Sequence, residues 1–154
     1  MFRVASENAL RAAFRPKDVA VFEPPPGVTY PFGVIDYLSW VHPAGGRVYL
    51  LFAVQGGTPT GLAFQNNGGT AVAVAQMCDW CHTIGSGTEI AMLTAQLNAN
   101  KKLGMNLCSD LSCARKIEDQ ANLSGRSPRP ALKALVDRIG AFARDGLKID
   151  LFRP

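Results

Sequence analysis

Hydrophobic and polar positions along the chain change period several times, and each change predicts a different element. Over residues 7–14 Leu10 and Phe14 recur at helical spacing, Ser6 stands at the N-cap and Glu7 supplies an acid to the first turn. Arg15-Pro16 ends this helix. Glu23-Pro24-Pro25-Pro26-Gly27 fixes φ and removes amide donors, so it predicts a rigid extended linker. From residue 37 the pattern becomes strand-like. Residues 37–42, 47–54 and 60–65 are rich in Tyr, Val, Leu and Phe and are separated by Pro43-Ala44-Gly45-Gly46 and Gly56-Gly57-Thr58-Pro59. An antiparallel meander is expected.

Asn66-Asn67-Gly68-Gly69 reads as a further turn. Residues 70–77 alternate in a way that favours a strand, although their alanines also allow a helix. Residues 89–97 and 103–107 read as two strands joined through Asn98-Ala99-Asn100-Lys101. Ser109 or Asp110 can then cap a helix running to about Asn122, with Cys113 on its first turn. Ser124-Gly125-Arg126-Ser127-Pro128 breaks the chain again. Ser127 as cap and Pro128 at the first helical position open a last helix to about Asp145, and Gly146 closes it. Leu132, Leu135, Val136, Ile139 and Phe142 mark its core-facing stripe. The expected class is α+β: an antiparallel sheet with helices at both ends, in one domain over residues 1–154. No internal repeat and no low-complexity segment interrupts it.

Composition changes this picture little. At 154 residues with 47 % hydrophobic and 18 % charged positions, the chain has enough material for a proper core. No apolar run approaches the roughly 20 residues of a membrane span. No basic region followed by an apolar stretch opens the chain, so a cytoplasmic protein is expected; a monomer is expected as well. Charge is more informative. Residues 1–100 hold five lysines and arginines against six acids, and residues 101–154 hold eleven against six. The basic surplus therefore falls in the second half, which fits an acidic partner or a solvated helix surface.

The chemistry lies in the cysteines. All four sit in two tight pairs, Cys78-Asp-Trp-Cys81 and Cys108-Ser-Asp-Leu-Ser-Cys113, with residues 82–107 between them. That interval accommodates a hairpin that brings the pairs together. Four thiolates suit one tetrahedral Zn²⁺. Disulfides would need an oxidising compartment. Cys78-Asp-Trp-Cys81-His82 also matches the attachment motif of c-type haem, but haem would leave Cys108 and Cys113 without a role. A thioredoxin-like pair would need a helix after Cys81, where His82-Thr83-Ile84-Gly85-Ser86-Gly87 is turn-rich. A structural zinc site is the leading reading. Knuckle, hairpin and a ligand-bearing helix N-terminus follow one another in the order of a treble-clef finger, over about residues 77–122.

The segment from Met77 to Gly85, with Trp80-Cys81-His82-Thr83 at its centre, followed by the Cys-x4-Cys pair of Cys108 and Cys113, resembles the C-terminal zinc-binding domain of the elongation-factor-G-binding proteins. That family includes the fusidic-acid-resistance proteins. The resemblance implies a treble-clef domain that docks on elongation factor G, with Cys78, Cys81, Cys108 and Cys113 as metal ligands. The resistance proteins carry an additional N-terminal helical domain without a counterpart here, so binding to a translation factor is favoured over resistance itself.

Around such a finger, Trp80 and His82 on the knuckle, Lys101 and Lys102 at the hairpin tip, and Arg115 and Lys116 on the helix are the candidate partner contacts. Each also has a structural alternative: Trp80 can pack in the core, His82 can donate to a zinc thiolate, and the lysine pair can simply solubilise a turn. The competing function is direct binding of ribosomal RNA or another nucleic acid through the basic second half. Against it, residues 101–154 contain only Phe142 and Phe152 as aromatics. Catalysis is not expected. The two histidines, His42 and His82, form no triad by spacing, and four cysteines close a metal to water.

Overall fold

The computed structural model describes residues 1–67 and 75–154. Most of the expected strand-like segment 70–77 lies outside the described residues. The elements run β1 (Phe2–Val4), α1 (Glu7–Ala12), α2 (Pro16–Val19), β2 (Phe32–Val34), β3 (Tyr37–Val41), β4 (Arg47–Phe52), β5 (Thr60–Asn66), β6 (Gln76–Met77), β7 (Ile84–Gly85), β8 (Ile90–Asn98), β9 (Lys101–Cys108), α3 (Cys113–Ser124) and α4 (Arg129–Ala141). A π-helical turn at Phe142–Gly146 extends α4.

Five strands form the main sheet in the order β3-β4-β5-β8-β9, with antiparallel neighbours throughout. The expected meander is its first half and the long β8–β9 hairpin its second. Strand β4 explains how the sheet is covered. Its sequence, Arg-Val-Tyr-Leu-Leu-Phe, is apolar without alternation, which marks a strand with both faces buried. Val48, Leu50 and Phe52 point into one core, and Tyr49 and Leu51 into another.

The core on the second face is built by the N-terminal segment. Leu10, Phe14 and Phe22 pack there with Trp40 and Tyr49, the Phe14 and Phe22 rings lying 5.1 Å apart edge to face. Ser6 caps α1 by accepting from the Ala9 amide at 3.1 Å, as the sequence implies. The close approach of Phe14 requires glycine below it: a Cβ on Gly61 would stand 2.5 Å from the Phe14 ring. Pairing of β1 with β2 and the short helix α2 are not evident from the hydrophobic pattern, because both elements are only three or four residues long.

The first core holds the metal-binding elements. Leu132, Leu135 and Ile139 of α4 are buried against the sheet, with Val136 and Phe142 packed beside them. Two expected caps differ in detail. Pro128, rather than Ser127, occupies the N-cap of α4, while the Ser127 hydroxyl accepts from the Arg129 amide at 3.3 Å. Helix α3 begins at Cys113 after Ser112. Asp110 does not cap it, because its carboxylate folds back to accept from the Ser112 amide at 3.1 Å, and the Ser109 hydroxyl donates to the Thr88 carbonyl at 3.0 Å.

Candidate metal centre

Three local structures deliver the four sulfurs. Strands β6 and β7 pair Met77 with Ile84 and Gln76 with Gly85, so residues 78–83 form a tight knuckle between them. The Cys78 amide donates to the Thr83 carbonyl at 2.9 Å, and the His82 amide donates to the Cys78 carbonyl at 2.8 Å. His82 closes this turn with φ of 63°. Cys108 is the last residue of β9. Leu111, at φ 56° and fully buried, then turns the chain so that Cys113 opens α3. The positive end of the α3 dipole lies at Cys113 and favours the charge of its thiolate.

The knuckle is also fixed to the sheet. Asp79 donates its amide to the Asn106 carbonyl at 2.7 Å and accepts from the Asn106 amide at 3.0 Å. Trp80, between the first two cysteines, drives its ring into the first core, 5.9 Å from Phe64 and 6.0 Å from Phe142. The Arg138 guanidinium donates to the Trp80 carbonyl at 2.9 Å.

The result is a compact sulfur cluster. The four Sγ atoms all lie within 4.8 Å of one another, with Cys78 and Cys113 at 3.7 Å and Cys81 and Cys108 at 3.5 Å. These separations are far beyond a disulfide bond of about 2.05 Å. They match the edge of a tetrahedron with Zn–S bonds of about 2.3 Å, which is roughly 3.8 Å. Without a cation the sulfurs divide the remaining protons among themselves, Cys78 and Cys81 held down and Cys108 and Cys113 pushed up. Hydrogen bonds from Cys108, then Cys113, hold the Cys78 thiol down at about 6, and the same neighbours hold Cys81 lower still. Hydrogen bonding to Cys108, Cys78 and Cys81, with burial, pushes Cys113 up. Four thiolates cannot share this volume without a metal to neutralise them, and Zn²⁺ fits both the donor set and the spacing.

A ring of donors surrounds the sulfurs. The Cys81 amide points at the Cys78 sulfur at 3.5 Å, Thr83 Oγ1 lies 3.3 Å from the Cys81 sulfur, and the Lys116 ammonium donates to the Cys108 sulfur at 3.1 Å. Burial alone would lower Lys116, but the bond to Cys108 and the charges of Cys108, Cys81 and Cys113 raise it above its ordinary value. Tyr37 braces the ligand loop from β3. Its hydroxyl donates to the Leu111 carbonyl at 2.5 Å and accepts from the Ala114 amide at 3.0 Å.

The six candidate contact residues separate on this geometry. His82 and Arg115 are exposed beside the finger, and Lys101 and Lys102 are exposed at the tip of the β8–β9 hairpin, at the opposite end of β9 from Cys108. Trp80 is 2 % exposed, so it is a core residue and presents no contact surface. Lys116 is half-buried and committed to Cys108. The exposed His82 side chain is not a donor to the thiolates, and Lys116 fills that role at Cys108. Thr83 could have been found from its position two residues after Cys81. Tyr37 could not, since 74 residues separate it from Leu111.

This order of knuckle, hairpin and helix N-terminus around one closed thiolate site defines a treble-clef zinc finger set on a larger antiparallel sheet. The chain belongs to the FBP C-terminal treble-clef zinc-finger family, whose profile matches residues 12–144. Among solved structures it is similar to the fusidic acid resistance protein FusC, with a TM-score of 0.54 and 18 % identity over 80 % of this chain. At that identity the likeness is one of fold. The chain spans 57 % of the length of FusC. No curated protein sequence matches it. Among the described residues no helix is long and apolar enough to cross a membrane.

Proposed function

We propose that this protein is a zinc-stabilised binding module for translation elongation factor G, acting on the factor's turnover at the ribosome and catalysing no reaction itself. The observation that carries the reading is the closed sulfur cluster with exposed side chains around it. Four cysteines fill the coordination of Zn²⁺, so the metal holds the knuckle, hairpin and helix α3 in register and offers no position to water or substrate. Recognition then falls to His82, Lys101, Lys102 and Arg115, which present an imidazole and three cations to an acidic face of the factor. Family membership and the fold shared with a fusidic acid resistance protein support this choice of partner.

Recognition of RNA by the basic second half as a whole has less support. Arg129 is paired with Asp36, Lys133 with Asp137 and Arg144 with Asp145, and Arg138 and Lys116 are bonded to Trp80 and Cys108. Five of the eleven cations in that half are thus engaged within the fold.

Native mass spectrometry of the zinc-loaded chain with elongation factor G from the same source tests the reading. A 1:1 complex that weakens at least tenfold in the Lys101→Glu/Arg115→Glu variant is expected. One zinc per chain with no complex would sink the proposed partner and leave the fold intact.

A further inference from the structure

The N-terminal layer covers the second face of the sheet over β3, β4 and β5 but leaves the same face of β8 and β9 open. Along β8, Ala91, Leu93 and Ala95 are turned inward, so Thr94, Gln96 and Asn98 face the other way. Where the edge of the layer at α2 meets this open face, a groove of about 630 Å³ remains. Its floor is Ala63, Gln65, Thr94 and Gln96. Lys17 and Arg47 line it from α2 and the start of β4, and Lys102 from β9, where it is the cross-strand partner of Gln96.

Charge in the groove is one-sided. Lys17, Arg47 and Lys102 enter no salt bridge among the described residues. The one acid in the lining, Asp18, is buried and satisfied by the Arg15 guanidinium at 2.9 Å. The Lys17 ammonium rests on the Leu97 carbonyl at 2.9 Å, and on its far side a second cavity of about 650 Å³ continues past Lys148. Two basins thus meet at one lysine.

We infer that this groove binds the sugar–phosphate backbone of a single-stranded nucleic acid. Cations free of salt bridges on both walls suit successive phosphates, and the amide and hydroxyl groups of Gln65, Thr94, Gln96 and Asn98 suit the sugars between them. An acidic protein surface fits less well, because the cations are interspersed with the side chains of Gln65, Thr94, Gln96 and Asn98 and leave no contiguous apolar centre of the kind protein interfaces close around. No aromatic side chain lines the first basin among the described residues, so the contacts there are to phosphate and sugar, which carry no sequence information, and binding is weaker than on a stacking platform. The surface differs from the basic second half read as a unit: two of its three principal cations, Lys17 and Arg47, come from the part of the sequence whose net charge is negative. It also stands apart from the metal centre and shares only Lys102 with the residues proposed to meet the factor.

The test is fluorescence anisotropy of a labelled 12-nucleotide oligo(U) with the zinc-loaded chain at several salt concentrations, followed by amide chemical-shift mapping. Expected are a log–log salt slope of about −2, corresponding to roughly three phosphates on a single strand, and shifts centred on Gln65, Thr94 and Gln96. The Lys17→Glu/Arg47→Glu/Lys102→Glu variant should lose at least tenfold in affinity. Should it fold poorly, the milder Lys17→Gln/Lys102→Gln variant should lose at least threefold with unchanged zinc content. A charge-matched control outside the groove, Arg126→Glu/Lys133→Glu/Arg144→Glu, should lose less than twofold. No binding at 50 mM salt, an equal loss in the control, shifts centred on the finger, or equally tight binding of oligoglutamate would each overturn the proposal. The experiment contains no elongation factor, so its failure leaves the factor-binding reading standing.

Discussion

Lys116 donates a hydrogen bond from its ammonium to the Cys108 sulfur at 3.1 Å, and it reaches that sulfur because it lies three residues after Cys113 on the same face of α3. One helix therefore supplies both a ligand and a counter-charge. Four thiolates around Zn²⁺ carry a formal charge of about −2, and this ammonium offsets part of it inside a half-buried site.

Replacing Lys116 by Met keeps the length of the side chain and removes the charge. Zinc affinity should fall by about tenfold or more, the usual cost of losing a group bonded to a ligand. Competition with a chromogenic chelator measures this. An unchanged affinity would mean that Lys116 is a bystander.

Loss of the metal should be far more severe. Cys113→Ser removes a ligand that also starts α3. A structural zinc contributes on the order of 10 kcal/mol to folding. The variant should bind no zinc by elemental analysis, and its finger amides should lose protection from hydrogen exchange while those of β4 are affected less. Acid should act in the same direction, since protons compete with the metal for thiolates: zinc-dependent stability is present at neutral pH and is lost as pH falls.

Tyr37→Phe probes the brace on the ligand loop. The substitution deletes the bond to the Leu111 carbonyl and leaves the Ala114 amide without its acceptor. A cost of about 1–3 kcal/mol is expected in urea unfolding of the zinc-loaded protein, with metal content unchanged. A cost below about 0.5 kcal/mol would show that water replaces the hydroxyl without penalty.

Trp80→Ala should destabilise by about 3–5 kcal/mol, because it empties a site between Phe64 and Phe142. A variant that keeps the wild-type melting temperature and loses only partner binding would contradict the burial of this ring.

Gly61→Ala tests the packing of the second core. The new methyl would meet the Phe14 ring at 2.5 Å, so either the ring or β5 must shift, at a cost of about 1–3 kcal/mol. Thermal melting is a sufficient readout. A neutral result would mean that α1 and Phe14 move freely on the sheet.

The sequence by itself determined the longer local elements and the metal, but not β1, α2 or β2. Turn residues bounded the strands of the meander, the spacing of Leu132, Leu135 and Ile139 announced the buried face of α4, and two cysteine pairs with a hairpin-length interval announced one tetrahedral site. These features are legible because their causes are short-range: backbone freedom, side-chain period and ligand spacing act within a few residues. What only the tertiary structure decided involves partners distant in sequence. Trp80 sits inside rather than on the finger because Phe64 and Phe142 converge on it, and Lys116 is spent on Cys108 because β9 ends beside α3. Tyr37 reaches the ligand loop across 74 residues, and Lys17 and Arg47 share a groove with Lys102 although the sequence divides their charges between halves of opposite sign. The energy of a contact depends on distance in space, and the fold sets that distance without regard to separation along the chain.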